Sequence, residues 1–153
     1  MSHRKIDVDA YDEDEFVEED AQLQASLPSS AEVDGTVNAR AGDVRNLLAR
    51  GDIAGAVTKA LEDPPEGRDV QAAKDRNTQT VMDSLLAAKS SDIPNIVSRL
   101  NPQQLDTLMK YIYRGMANPE LYNAAVLLSW HEKAYEAGGL GCIIRVMTDR
   151  KTA

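Results

Sequence analysis

The sequence contains little of several features that define large classes of protein. One cysteine among 153 residues cannot form an internal disulfide, which excludes a disulfide-stapled scaffold and favours a reducing compartment. The longest apolar run, Ala124 to Leu128, is far shorter than the roughly 20 residues that a membrane-spanning helix needs. A net charge of −8 argues against nucleic acid or an anionic membrane as the main partner. Because the N-terminal residues contain no apolar signal-peptide core, we expect a soluble, cytoplasmic protein.

The sequence also lacks a recognisable catalytic or metal-binding motif. His131 and Glu132 begin an H-E-x-x-H pattern, but Tyr135 stands where a zinc site needs its second histidine. Nothing marks Cys142 as an activated thiolate, and the acidic run 12–20 has neither the glycine nor the ligand order of a calcium loop. We interpret His131 as a helix-face histidine with a structural partner and Cys142 as a small buried side chain. No enzyme activity, cofactor or metal is predicted.

Acidic charge is concentrated in the first quarter of the chain. Residues 1–36 hold eleven acidic and two basic residues, a net charge of −9, whereas residues 37–153 carry a net charge of +1. A segment of this composition cannot bury enough apolar surface to offset the entropy of ordering it. Residues 25–36, which are rich in small and turn-forming side chains, are expected to form a flexible connector. The predicted organisation is an extended acidic tail and linker over 1–36, followed by an all-helical core domain over 37–153.

The tail nevertheless contains side chains that a purely solubilising segment does not need. Ile6, Val8 and Ala10 alternate with aspartates, a period of two that suits an extended segment lying on another surface. The only phenylalanine of the chain, Phe16, is also in the tail. Apolar anchors flanked by charge are typical of short linear binding segments, so we favour a tail that orders on a partner over a solubilising one. The candidate contacts are Ile6, Val8, Tyr11, Phe16 and Val17.

From Val37 onward the spacing of apolar residues is helical, and no strand-like alternation appears. Asp, Ser, Asn and Pro stand where helices are expected to start. These patterns predict an all-α core of about seven short-to-medium helices. An echo between residues 52–60 and 92–100 indicates that the helices stack as pairs, although two copies can also arise by chance. The predicted helices span 38–50, 53–61, 69–89, 92–100, 102–115, 119–138 and 140–147.

Two further predictions concern the C-terminal third of the chain. The helix that starts at Pro119 is apolar on most sides over residues 124–130, and a helix with so little polar face is usually buried centrally. The Gly138-Gly139 pair is expected to end this helix. For residues 140–147 periodicity alone does not separate a helix from a strand, but the position after a helix-ending glycine pair favours a helix.

Segments from both ends and the middle of the chain together carry a family resemblance. They are K-I-D-V-D-A-Y-D-E-D-E-F-V-E-E-D (Lys5–Asp20), Q-A-A-K-D-R (Gln71–Arg76), L-M-K-Y-I-Y-R-G-M (Leu108–Met116), W-H-E-K-A (Trp130–Ala134), A-G-G-L-G (Ala137–Gly141) and I-I-R-V-M-T-D-R-K-T (Ile143–Thr152). In this order the segments resemble the smallest, fifth subunit of the actin-related protein 2/3 complex. The linker over residues 22–37 does not visibly match.

The resemblance implies a small, all-helical, non-enzymatic subunit of an assembly that nucleates branched actin filaments. Its helical core would dock on the β-propeller subunit and the fourth subunit, while the five tail contacts named above would tether the actin-related protein 2 subunit. The implied location is the cytoplasm, in the actin cytoskeleton and its cortical structures. The alternative is a free helical-repeat adaptor that binds peptide partners. The candidate docking residues of the core are Tyr111, Tyr113, Arg114, Trp130, His131 and Arg145.

Overall fold

The computed structural model describes residues 28–67, 69–149, 151 and 153. This part of the chain contains six helices and no strand, so the predicted all-α class is confirmed and the helix count is close to the expected seven. The helices are α1 (Ser30–Ala49), α2 (Ile53–Ala60), α3 (Gln71–Ala87), α4 (Ile93–Val97), α5 (Pro102–Met116) and α6 (Ala124–Thr148).

Helix α1 begins inside the segment that composition indicated as a flexible connector. Ser29 and Glu32 form a capping box, in which the Glu32 backbone N–H donates to Ser29 Oγ at 3.4 Å. The Ser29 backbone N–H donates in return to Glu32 Oε2 at 2.9 Å. The connector prediction is therefore wrong for residues 30–36, while residues 25–27 lie outside the described part. The division of the chain into a tail and a core at residue 36 stays a prediction.

A small apolar cluster holds the first two turns of α1 against α3. Val33 and Val37, four residues apart on one face of α1, are buried in a cluster with Val70 and Ala73. The apolar surface removed from water favours order in this segment. Capping and burial together explain why the helix extends further towards the N-terminus than the composition indicated.

The Asn118-Pro119 pair does not start a helix, contrary to the prediction. The Tyr122 backbone N–H donates to the Asn118 carbonyl oxygen at 3.2 Å, which closes a turn instead. Helix α6 begins after Asn123, whose side chain accepts a hydrogen bond from the Ala125 backbone N–H at 3.0 Å. The sequence thus offers two asparagine caps five positions apart, and only the second one starts the helix.

Helix α6 is kinked at Gly139, where φ is +66° and ψ is −173°. A left-handed φ of this kind favours glycine, whereas space does not, because nothing lies within 4 Å of a Cβ built there. Backbone conformation, rather than lack of space, therefore requires the glycine. The chain is helical on both sides of the kink, which confirms the predicted break and the preference for a helix over residues 140–147.

The core is formed mainly where α3, α5 and α6 meet. Trp130 of α6 is fully buried, and its indole N–H donates to the Leu85 carbonyl oxygen of α3 at 3.1 Å. Gly115 lets α5 approach closely, since an added Cβ would lie 2.7 Å from the Met82 side chain and 2.8 Å from that of Leu127. The shorter helix α2 packs on α1 and α3, and α4 packs on α6, so all six helices contribute to the packed body.

A buried polar network connects α1, α3 and α5. Arg40 is only 7% exposed, and its guanidinium donates to Asn77 Oδ1 and to the Asp63 carbonyl oxygen, both at 2.8 Å. The Asn77 side-chain amide donates in turn to the Tyr111 hydroxyl at 2.5 Å. Burial lowers the pKa of Arg40 and raises the pKa of Tyr111, because it disfavours the charged form of each group. The network satisfies polar groups that water does not reach.

We predict that Tyr111→Phe lowers the free energy of unfolding by about 1–3 kcal/mol, because it leaves the buried Asn77 amide without its acceptor. Tyr113→Phe is the matched control, since it removes a hydroxyl from the same helix at a half-buried position, and its loss is expected to be smaller. Urea unfolding followed by the fluorescence of Trp130 measures both values. Equal losses in the two variants would show that the buried network has no specific contribution.

Candidate partner-binding surface

An exposed apolar stripe follows α6 and the turn before it. Leu128 and Tyr135 are seven residues apart and therefore lie on one side of the helix. Beyond the kink, apolar residues recur at intervals of four and three, which again places them on one side. The stripe holds six of the seven large apolar side chains that are exposed in the described residues, each between 43% and 73% exposed. The α6 apolar face consists of Leu121, Leu128, Tyr135, Leu140, Ile144 and Met147.

The prediction of a centrally buried helix is wrong for this side of α6. Leu127, Trp130, Ala134 and Cys142 are fully buried, whereas the α6 apolar face is in contact with solvent. The neighbouring helices α3, α4 and α5 cover only one side of α6. The helix is thus apolar on two sides and has neighbours on one. Several large exposed apolar side chains on one element are typical of a protein–protein contact site.

Two of the six predicted docking residues, Tyr111 and Trp130, belong to the core instead. Both side chains are 0% exposed. Their polar atoms have internal partners, because the Tyr111 hydroxyl accepts from Asn77 and the Trp130 indole donates to the Leu85 carbonyl oxygen. An aromatic side chain with one polar atom suits a core as well as an interface, so the sequence did not separate the two roles. Neither residue is available to a partner in this conformation.

Tyr113 and His131 form a half-buried pair between α5 and α6. The Tyr113 hydroxyl lies 3.1 Å from His131 Nε2, and the ring centroids are 5.6 Å apart with the planes at 55°. Burial raises the pKa of Tyr113, which keeps the hydroxyl protonated at neutral pH. This contact confirms the interpretation of His131 as a helix-face histidine with a structural partner. The pair therefore joins α5 to α6 next to the exposed surface.

The two predicted arginines also connect elements of the body. Arg145 forms a bidentate salt bridge with Asp106 of α5, with Nε–Oδ2 at 2.7 Å and Nη2–Oδ1 at 2.8 Å. This bridge holds the pKa of Asp106 below its ordinary value. Arg114 pairs with Asp75 of α3 and donates to the carbonyl oxygen of Ala153. Both arginines remain partly accessible, so they can contribute to a contact at its polar edge.

Cys142 is buried in the core, as the sequence interpretation expected. Burial, reinforced by the nearby Asp106 carboxylate, raises the pKa of the thiol to about 12. The thiol is therefore protonated at neutral pH and is a weak nucleophile. Among the residues that the structure describes, no three His, Cys, Asp or Glu side chains are grouped so that they could hold a metal ion. No helix in that same part of the chain combines the length and apolarity needed to cross a membrane.

Four of the six predicted docking residues, Tyr113, Arg114, His131 and Arg145, are partly accessible, and their role in docking stays a prediction. The five predicted tail contacts, Ile6, Val8, Tyr11, Phe16 and Val17, lie outside the described residues and stay predictions. None of the six residues of the α6 apolar face was among the candidate docking residues. The sequence nevertheless contained an indication of this face. Apolar residues at helical spacing already fill the side of α6 that faces the core, so further apolar residues seven positions apart must lie on a second side.

An all-α protein with an exposed apolar helix face is typical of proteins that work by binding other proteins. The profile of the family described as "ARP2/3 complex 16 kDa subunit (p16-Arc)" matches residues 2–153. The chain belongs to this family, which confirms the resemblance seen in the sequence.

Curated relatives match over most of the chain. The Xenopus laevis protein "Actin-related protein 2/3 complex subunit 5-B" is 39% identical over 149 residues, which covers 97% of this chain and 93% of the relative. The Homo sapiens "Actin-related protein 2/3 complex subunit 5-like protein" is 42% identical over 153 residues, with the same two coverages, 97% and 93%. The Dictyostelium discoideum "Actin-related protein 2/3 complex subunit 5" is 40% identical over 124 residues, covering 81% of this chain and 88% of the relative.

We predict that the Cys142 thiol is protected from alkylation in the folded protein. Because burial raises the pKa of the thiol from the ordinary 9.0 to about 12, its thiolate fraction at about pH 8 is far lower than in the unfolded chain. Iodoacetamide labelling with and without urea, followed by mass spectrometry, measures both rates. Slow labelling is expected until the chain unfolds, whereas rapid labelling of the native protein would contradict the buried position.

Proposed function

We propose that the chain is a non-catalytic structural subunit of the actin-related protein 2/3 complex and supports nucleation of branched actin filaments. The observation that supports this proposal is family membership over residues 2–153, a range that includes the acidic segment and the whole helical body. The relatives are named as subunit 5 proteins of that complex. The proposed location is accordingly the cytoplasm, in the actin cytoskeleton and its cortical structures.

The α6 apolar face is the surface that we propose for docking on the β-propeller subunit and the fourth subunit. Leu128 and Ile144 lie on either side of the kink at Gly139 and are both more than half exposed, so each half of the face offers apolar surface. Fully burying one such side chain contributes roughly 1.5–3 kcal/mol. Lost motional freedom offsets part of this gain on association, so several side chains have to contribute together.

The N-terminal segment is proposed to hold the actin-related protein 2 subunit. Residues 5–20 combine five large apolar side chains with nine acidic ones. A segment covalently joined to a docked body keeps its bound neighbour at a high effective concentration without fixing the position of that neighbour. This arrangement suits an assembly whose two actin-like subunits have to move together to form the start of a filament.

We predict that Leu128→Glu and Ile144→Glu, each introduced alone, reduce recovery of the β-propeller and fourth subunits with the tagged chain by at least about tenfold. The reason is that a carboxylate would have to be buried at an apolar contact. Ala39→Glu is the matched control, because it places the same charge at an exposed position of α1. Affinity purification from cell extract and quantitative mass spectrometry measure the recovery. Wild-type recovery with both α6 variants would contradict docking through this face.

Size-exclusion chromatography of native extract separates this proposal from the adaptor alternative. A structural subunit is expected to elute in a large complex with fixed stoichiometry. A chain that elutes as a monomer with transient partners would support the free helical-repeat adaptor and contradict membership of the assembly.

Deleting residues 1–24 is predicted to leave the helical body assembled and to weaken retention of the actin-related protein 2 subunit. The body is expected to persist because the capping residue Ser29 and all of α1 remain in the chain. The measurements are recovery of that subunit during high-salt washing and the branching rate of the purified complex. A variant in which residues 1–24 are replaced by a Gly-Ser spacer of equal length controls for chain length. Full retention and full branching activity in both variants would contradict the tether.

A further inference from the structure

A groove of about 560 Å³ lies between the N-terminal end of α3, the C-terminal part of α5 and the end of α6. Met147, which is 69% exposed, brings apolar surface of α6 into contact with solvent here. We call this feature the α5–α6 groove. Its apolar part is formed by Tyr113, Val146 and Met147, and its rim carries Lys110, Arg114 and Lys151.

The side chains that line the α5–α6 groove include more cations than anions. Its lining includes three cations and one anion, Asp149. Each cation forms an ion pair with a carboxylate, but lysine and arginine have more donors than one carboxylate uses. The same charges also act on Lys74. Its pKa is lowered mainly by burial and further by Arg114 and Lys110, while Glu66 opposes the shift. The remaining donors of the three cations of the lining can therefore hydrogen-bond to the carboxylates of an acidic ligand.

Two other grooves in the described residues are less suitable for an acidic segment. The adjacent groove, between residues 61–66 and the first turns of α5, shares Lys110, Asp149 and Lys151 with the α5–α6 groove, and its lining holds five acidic and two basic residues in all. Like charges at short range repel, so this groove disfavours an acidic ligand. The groove between α1 and α3 has a volume of only about 200 Å³.

The described chain begins close to the α5–α6 groove. Val33 in the first turn of α1 clusters with Val70 and Ala73, and Gln71, between those two residues in sequence, lines the groove. Residues 21–29 lie between the acidic segment 5–20 and α1, and nine fully extended residues span up to about 30 Å. Residues 5–20 are therefore connected to the body by enough chain to reach the groove.

We propose that residues 5–20 occupy the α5–α6 groove of their own chain when no partner binds them. The apolar side chains of this segment match the apolar part of the groove, and its nine acidic side chains match the basic rim. Met147 belongs to both the groove and the α6 apolar face. Docking of the body through that face therefore displaces the segment and makes it available to a neighbouring subunit. Occupancy in the free chain goes beyond the proposed function and does not depend on it.

Paramagnetic relaxation in the full-length free chain tests this proposal. A nitroxide is attached at Ala10→Cys, a position outside the five apolar anchors, while the buried Cys142 thiol stays unlabelled. The methyl signals of Val146 and Ala153 report on the groove. The methyl signals of Leu48 serve as the reference because they are far from the groove. Leu48 lies beside Asp83, and Asp83 is about 18 Å along α3 from Gln71, which lines the groove. We expect strong intensity loss at the groove and little at Leu48.

Two variants and a salt series distinguish specific occupancy from random encounters. Met147→Glu adds a carboxylate to the groove and is expected to restore the intensities of Val146 and Ala153. Leu121→Glu makes the same change at a similarly exposed apolar residue that does not line the groove, and it is expected to have no effect. Raising the salt from about 0.01 M to about 1 M shortens the screening length from about 30 Å to about 3 Å and is expected to reduce the loss.

Three results would overturn the proposal. The first is equal intensity loss at the groove and at the reference methyls. The second is loss that persists in Met147→Glu as strongly as in Leu121→Glu. The third is loss that appears only when nitroxide-labelled chains are mixed with isotope-labelled ones, because the occupant would then be the segment of a second copy. These measurements use the free chain and do not depend on assembly of the complex. The proposed function can therefore fail while this inference holds, and this inference can fail while the proposed function holds.

Discussion

The burial of the Arg40 guanidinium constrains how the helices of this protein are arranged. A cation away from water is tolerated only with hydrogen-bond partners, and here the acceptors are Asn77 of α3 and the Asp63 carbonyl oxygen after α2. Asn77 extends the connection to Tyr111 of α5. Hydrogen bonds are directional and apolar packing is not, so the network defines the relative positions of α1, α3 and α5. Because α6 packs on α5, the positions of the exposed apolar face and of the adjoining groove follow from it.

Local signals in the sequence predicted most helices, and long-range contacts account for the main errors. Asn101 caps α5 immediately before a proline, as expected, and Asp52 caps α2. The capping residues Ser29 and Glu32 were equally visible, but the composition around them indicated a connector. What decides that region is burial of Val33 against α3, about forty positions further along the chain. A contact between segments so far apart cannot be derived from the composition of either one.

The surface was harder to predict than the helices, because exposure depends on how many sides of a helix its neighbours cover. Periodicity identified the α6 region as an apolar helix but did not show that α3, α4 and α5 cover only one side of it. The aromatic residues chosen as contacts, Trp130 and Tyr111, find partners for their polar atoms inside the body. The aliphatic residues Leu128 and Ile144 were not among the candidate contacts, yet both belong to the exposed face.

The left-handed backbone at Gly139 has a geometric consequence for anything that binds both halves of α6. Since the helix axis does not continue straight through the kink, a single rod-like element cannot follow Leu128 and Ile144 at once. A partner surface that is complementary to both halves must bend at the same position, or two separate proteins must meet at this point. In the second case one helix contacts two neighbours, and the angle between those neighbours depends on the torsion angles of Gly139.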